Sequence, residues 1–282
     1  MKMRINQLFQ IALFCSLSAF SIAVVKPVSV GSKNGQAALT PQKKIVTLFI
    51  HGTIFPVISY YCHGVNSRPG IQLAKRHSKN SLDTFCEILS IAAPEQHPFN
   101  SFYWFGWDGK MDEESRFRAA ENLYDWLQEH PEVDTAIGHS HGATIILLLE
   151  KIAQQRKNAR FSINRFVAIA CPIQKATQHL ITSSLFKKVY SLYSSGDFTQ
   201  WMGSAISGHF FGERSFMPMN RLVQAQILLE GSNPGHNDFI LKNEFISQLP
   251  KLLKELDGAK NNNYDHFIAH IRSGKIELHP LS

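Results

Sequence analysis

Val133–Ala153 reads VDTAIGHSHGATIILLLEKIA, and the way its first part joins its second decides the fold. Val133–Ile137 is a short, mostly apolar run of strand type, and Ala143–Ala153 has the length and composition of a helix. Between them stands Gly138-His139-Ser140-His141-Gly142. A strand that turns at once into a helix needs residues with almost no side chain at the turn, and Gly138 and Gly142 bracket it. The residue at the apex then stands clear of the sheet edge, in front of the helix N-terminus and its unpaired N–H groups. That residue is Ser140, and the pattern is the sequence form of a nucleophile elbow.

A serine hydroxyl is a weak nucleophile at neutral pH and needs a base, which in turn needs an orienting acid. With an elbow of this kind the partners follow in the order Ser, acid, His, each just past the end of a strand. Lys188–Ser194 (KVYSLYS) alternates as a strand and runs into Ser195-Gly196-Asp197, which places Asp197 at a strand tip. Ala225–Leu229 (AQILL) is a further strand, and the turn-rich Gly231-Ser232-Asn233-Pro234-Gly235 delivers His236. Asp197 also suits an ordinary turn. Asp238 lies too close to His236 and suits a helix cap, while Asp108 and Asp134 precede the serine. Ile45–Ile50 (IVTLFI) is a continuous apolar run suited to a buried parallel strand, and it enters His51-Gly52-Thr53. An oxyanion hole needs backbone N–H groups aimed at developing negative charge. The expected donors are the N–H of His141 and one from Gly52 or Thr53.

Taken in order, Phe49–Thr53 (FIHGT), Phe102–Gly106 (FYWFG), Arg116–Leu127 (RFRAAENLYDWL), Gly138–Gly142, Ser195–Asp197 and Gly235-His236 resemble the α/β-hydrolase superfamily. Within it they are most similar to bacterial lipases and esterases, over roughly residues 45–240. The resemblance implies an α/β fold with a mostly parallel central sheet flanked by helices. It also implies a serine esterase without cofactor, acting on a small-molecule or lipid ester. Ala143 stands where a second glycine is frequent in that family. Two other readings stay open: an α/β-hydrolase-fold binding module without catalysis, and a membrane-tethered interaction protein.

Several residues carry a plainer reading. His139 and His141 lack nearby cysteine or acidic partners for a metal site, so packing and hydrogen bonding around the elbow are expected of them and no metal is assigned. In Arg116–Leu127 the apolar face is Phe117, Ala120, Tyr124 and Leu127, with Pro131 ending the helix. Arg116, Arg118, Glu121 and Asp125 read as its solvated face.

Lys2 and Arg4 followed by the apolar Leu8–Val25 form a leader, with small residues suiting cleavage after Ala23, so 1–23 is expected to be a signal peptide and the protein secreted or periplasmic. The alternative is an uncleaved anchor. Export would leave Cys62, Cys86 and Cys171 of the 4 cysteines, of which Cys62 and Cys86 could pair across Tyr60–Asn80. The net charge of +7 becomes +5 once Lys2 and Arg4 are removed. Its dispersed basic residues exclude a nucleic-acid motif and suit an anionic membrane surface. The hydrolase domain is expected over 41–258. Residues 198–223, rich in Phe and Met and punctuated by glycine, form a lid, a pocket wall or a packed crossover. Residues 259–282 form a tail with a short helix over Tyr264–Ile271.

Overall fold

The computed structural model describes residues 45–53, 69–131, 133–174, 176–199, 215–260 and 265–281. The leader at 1–23, Cys62, and most of 198–223 lie outside the described residues. Among the described residues, no helix is long and apolar enough to cross a membrane.

Nine strands form one sheet: β1 (Val46–Ile50), β2 (Gly70–Leu73), β3 (Phe102–Gly106), β4 (Val133–His139), β5 (Ile163–Ile169), β6 (Phe186–Tyr193), β7 (Leu222–Leu229), β8 (His266–Arg272) and β9 (Lys275–Pro280). Their order is β2-β3-β1-β4-β5-β6-β7-β8-β9. All pairs are parallel except the outer β2–β3 and β8–β9. The helices are α1 (Ser81–Ala92), α2 (Glu113–Glu129), α3 (His141–Arg156), the single turn α4 (Asp238–Leu241) and α5 (Asn243–Lys260).

Each central strand feeds both faces. In β1, Leu48 and Ile50 pack with α2 and α3, while Phe49 packs with α1 and α5. This double burial is why IVTLFI shows no polar alternation. Asp112 caps α2 by accepting the Ser115 N–H at 2.7 Å, and Asn80 caps α1. Lys157, at φ 52°, stops α3 in the left-handed conformation.

Two expectations are corrected here. Residues 259–282 are not a tail with a short helix: α5 runs on to Lys260, and β8 and β9 then extend the sheet. Phe267, Ala269 and Ile271 are buried and alternate with half-buried residues, a period of two that fits the open edge of β7 and not a helix. The unit expected to end at residue 258 therefore passes well beyond it. Arg116 does not lie on a solvated face. It is 4% exposed and shares the buried stripe of α2 with Ala119, Ala120, Leu123, Tyr124 and Leu127. The thiol of Cys86 is free and buried in the core beneath α1.

Candidate active site

Four loops meet along one edge of the sheet, carried by the C-terminal tips of β1, β4, β6 and β7, with only β5 intervening. This is where open α/β sheets present their ligand sites.

At the tip of β4 the chain makes a turn that tolerates no bulk. Ser140 has φ 53° and ψ −130°, a conformation costly for any residue with a side chain. A Cβ on Gly138 would lie 2.5 Å from the backbone of Ala143, and one on Gly142 would lie 2.3 Å from the Ile50 carbonyl oxygen. Gly52, from the neighbouring loop, is held just as close: a Cβ there would meet the Ser140 Cβ at 2.6 Å. Ser140 is 7% exposed and opens α3, whose first N–H groups have no partner within the helix.

The β1 loop is fastened by side chains. His51 donates through Nδ1 to the Gly52 carbonyl at 2.6 Å and accepts the Trp107 backbone N–H at Nε2, 3.3 Å away. The Trp107 indole N–H returns a bond to the His51 carbonyl at 2.9 Å, and the two rings stack. One ring nitrogen donates and the other accepts, so His51 is neutral, and burial holds its pKa down at about 4. Thr53 Oγ1 lies 2.8 Å from Nδ1 of His141, so a side-chain bridge joins the two loops expected to supply oxyanion donors. His141 is likewise neutral, lowered to about 3 by burial, then by the charges of Arg116 and His236.

Asp197 is fully buried, and its Oδ2 accepts the Nδ1–H of His236 at 2.7 Å. Their two loops are bound to each other. Ser195 Oγ meets Asn233 Oδ1 at 2.6 Å, and a Cβ on Gly196 would strike the Asn233 carbonyl oxygen at 2.7 Å. Asp238 accepts the Gly235 N–H at 2.9 Å and so braces the His236 loop, in place of the helix-capping role its position suggested.

His139 connects the two halves. Its Nε2–H donates to the His236 carbonyl at 3.0 Å, and the two rings are 4.7 Å apart. Burial holds it neutral, at about 3. Ser140, Asp197 and His236 thus converge on one edge, with Gly52, Thr53 and His141 beside them. Among the hydrogen bonds of the described residues none joins Ser140 Oγ to His236, a contact that commonly tightens only when substrate is bound. The thiol of Cys171 is pushed up to about 12 by burial, so it is no rival nucleophile. Among the described residues no cluster of His, Cys, Asp or Glu could hold a metal ion. The hydrogen bonding expected of His139 and His141 is present, and its partners, like the roles of Trp107 and Asn233, had no signal in the sequence because they lie far along the chain. Arg116 did have one: it lies four residues before Ala120, on the same helical stripe.

No family model and no curated protein matches the sequence. Among solved structures, the chain is similar to a hyperthermophilic esterase from the archaeon Pyrobaculum calidifontis, with 10% identity and a TM-score of 0.41 over 77% of this chain and 75% of that one. An arylesterase gives 11% and 0.39 over 89% and 97%. An α/β-hydrolase from the metagenome of Lake Arreo, Spain, gives 11% and 0.39 over 91% and 89%. At that distance the likeness carries no argument, and the assignment of the fold rests on the strand order and the turn at Ser140.

Proposed function

We propose that this α/β-hydrolase fold, with its elbow on β4 and its acid and histidine on β6 and β7, is a serine hydrolase that cleaves carboxylic esters. The observation that supports this best is the 2.7 Å bond from His236 Nδ1 to the buried Asp197, on loops that meet the edge carrying Ser140. With Nδ1 committed to Asp197, Nε2 is the atom left to take a proton.

Ser140 Oγ attacks the ester carbonyl while His236 Nε2 accepts its proton. Asp197 orients the ring and stabilises the imidazolium. The tetrahedral oxyanion is received by the N–H of His141 and one from the β1 loop. Thr53 suits that second role better than Gly52. A trans peptide points its N–H opposite to its C=O, and His51 holds the Gly52 carbonyl, so the Thr53 N–H faces away from the His51 ring. Collapse gives the proton to the leaving alkoxide and leaves an acyl-enzyme on Ser140. Water, deprotonated by His236, adds to the acyl carbon, and the carboxylic acid leaves as the proton returns to Oγ.

An apolar acyl group, lipid-like, fits the Phe- and Met-rich composition of 198–223, and an exported protein fits the leader at 1–23. The test is labelling by a fluorophosphonate, together with p-nitrophenyl esters of rising acyl length, on the native chain, the heat-denatured chain and Ser140→Ala. Labelling confined to the folded wild type, with turnover in Ser140→Ala down by about 10⁶-fold, is the expected result. Label or turnover surviving in Ser140→Ala would point to another nucleophile and overturn the assignment. A folded wild type that neither labels nor turns over would favour a non-catalytic binding module.

A further inference from the structure

We propose that Arg116 forms an anion subsite beside Ser140, receiving a carboxylate or phosphate group carried by the ester substrate. The inference rests on the ester-hydrolase reading for the identity of the ligand, and on the surroundings of Arg116 for the existence of the site.

Three features make Arg116 an unusual residue to bury. A guanidinium is always charged and carries five N–H donors, so it is costly to enclose without an anion. It stands in the first turn of α2, where the helix dipole disfavours a cation. It also has poor company: its Nη1 donates to the Met111 carbonyl, and among the described residues no carboxylate lies within ion-pair distance of it. Glu113 and Asp112 act on it through their charge without forming an ion pair, and the other acids nearest in the chain are engaged elsewhere. Asp108 takes the Ser115 hydroxyl and pairs with Lys110, Asp112 caps the helix through the Ser115 N–H, and Glu114 pairs with Arg118. A buried, always-charged fork with one carbonyl partner is prepared for an anion that arrives from outside.

Its place in the fold points to the substrate. α2 and α3 pack against each other on the same face of the sheet, and Arg116 is in the first turn of one while His141 begins the other. The β3–α2 connection that leads to Arg116 is tied to the β1 loop through Trp107 and His51. The charge is felt at the site, since it contributes to keeping His141 neutral. Ser140 and Arg116 are enclosed to a similar degree, 7% and 4% exposed. An acyl chain or alcohol bearing a negative oxygen group would place its ester at Ser140 and its charge at Arg116.

The test compares kcat/KM for p-nitrophenyl butyrate with that for the p-nitrophenyl monoester of glutaric acid, in wild type, Arg116→Gln and Arg116→Lys, after thermal unfolding shows each to be folded. The wild type is expected to favour the anionic ester at least tenfold. Arg116→Gln should cut that ratio at least tenfold, and Arg116→Lys, which keeps the charge and loses the fork, should fall between. A second arm needs no turnover: calorimetric titration of Ser140→Ala with glutarate, with glycerol 3-phosphate and with neutral glycerol, repeated with Arg116→Gln added. Binding of glutarate alone assigns a carboxylate, and binding of glycerol 3-phosphate alone assigns a phosphate. Binding lost with Arg116→Gln supports the site even if no ester is hydrolysed, in which case only the ester-hydrolase reading fails. A wild type that hydrolyses both esters equally and binds neither anion overturns the anion site and leaves the hydrolase intact.

Discussion

Gly142 and Gly235 lie on opposite sides of one site, and an added methyl group meets different surroundings at each. At Gly142 it would lie 2.3 Å from the Ile50 carbonyl oxygen, whereas at Gly235 its nearest neighbour is the Asp238 carboxylate at 3.7 Å. The contrast extends to the loops around them. The Ser140 side is fixed by close steric contact at Gly52, Gly138 and Gly142, with Ser140 in a strained conformation. The Asp197–His236 side relies more on polar contacts: Asp197 with His236, Ser195 with Asn233, Asp238 with the Gly235 N–H. Close packing sets a position by excluding all others, so its failures appear as lost stability. Hydrogen bonds set orientation and protonation, so their failures appear first in rate.

The largest expected effect tests the polar side. Asp197→Asn keeps the size of the side chain while removing the charge that holds His236 in the right tautomer. Ester turnover should fall by about 10⁴-fold with the fold retained, as followed by stopped assays and circular dichroism. A loss of less than tenfold would show that the bond at Asp197 is structural only. The steric side is tested by Gly142→Ala, expected to destabilise the chain by about 3 kcal/mol, against Gly235→Ala, expected to change it by less than about 0.5 kcal/mol. Urea titration of both variants reads this directly, and equal midpoints would erase the contrast.

Acid should weaken the fold through its buried histidines, three of which surround Ser140 while His97, also lowered to about 4 by burial, lies beside Thr47. Burial lowers His51, His139 and His141 to about 4, 3 and 3, from an ordinary value of 6.5. Between those values and 6.5 the unfolded chain binds more protons than the folded one, so stability falls as pH drops below about 6.5. The slope is at most about 1.4 kcal/mol per pH unit for each such histidine. Urea midpoints measured from pH 7.5 to 4.5 should decline accordingly, and a flat series would mean the three rings are not held neutral. The smallest effect concerns the link between the sides. His139→Phe removes the donor to the His236 carbonyl and should lower kcat about tenfold with little change in KM. His139→Gln, whose amide can still donate, should recover part of it, and identical losses in both would assign His139 to packing alone.

The parts of this design that were legible in the sequence are those written locally. GHSHG between a strand and a helix is a steric requirement confined to a few residues, and the places of Asp197 and His236 just past strand ends followed from the strand patterns. What stayed hidden depends on distant partners. Tyr264–Ile271 looked helical while the exposed edge of β7 was unknown, and its two-residue burial rhythm makes sense only against that edge. Arg116 sat on the apolar stripe of its own helix. Its charge suggested solvent until the Met111 loop folded against it. For His139 a hydrogen bond near the elbow was legible, but its partner, the His236 carbonyl 97 residues on, was not.

One strand bears none of the expected chemical groups and yet sets a dimension of the site. β5 stands between β4, which leads to Ser140, and β6, which leads to Asp197, and its Ile169 carbonyl accepts the Ser140 N–H at 2.8 Å. Neighbouring strands are spaced by about 4.8 Å, so β5 holds the strands that lead to Ser140 and Asp197 about 10 Å apart. At Ala170, φ 49°, the chain then leaves the sheet and clears the gap. β5 works as a ruler: the span that His236 must bridge is written in a strand that no active-site motif would mark.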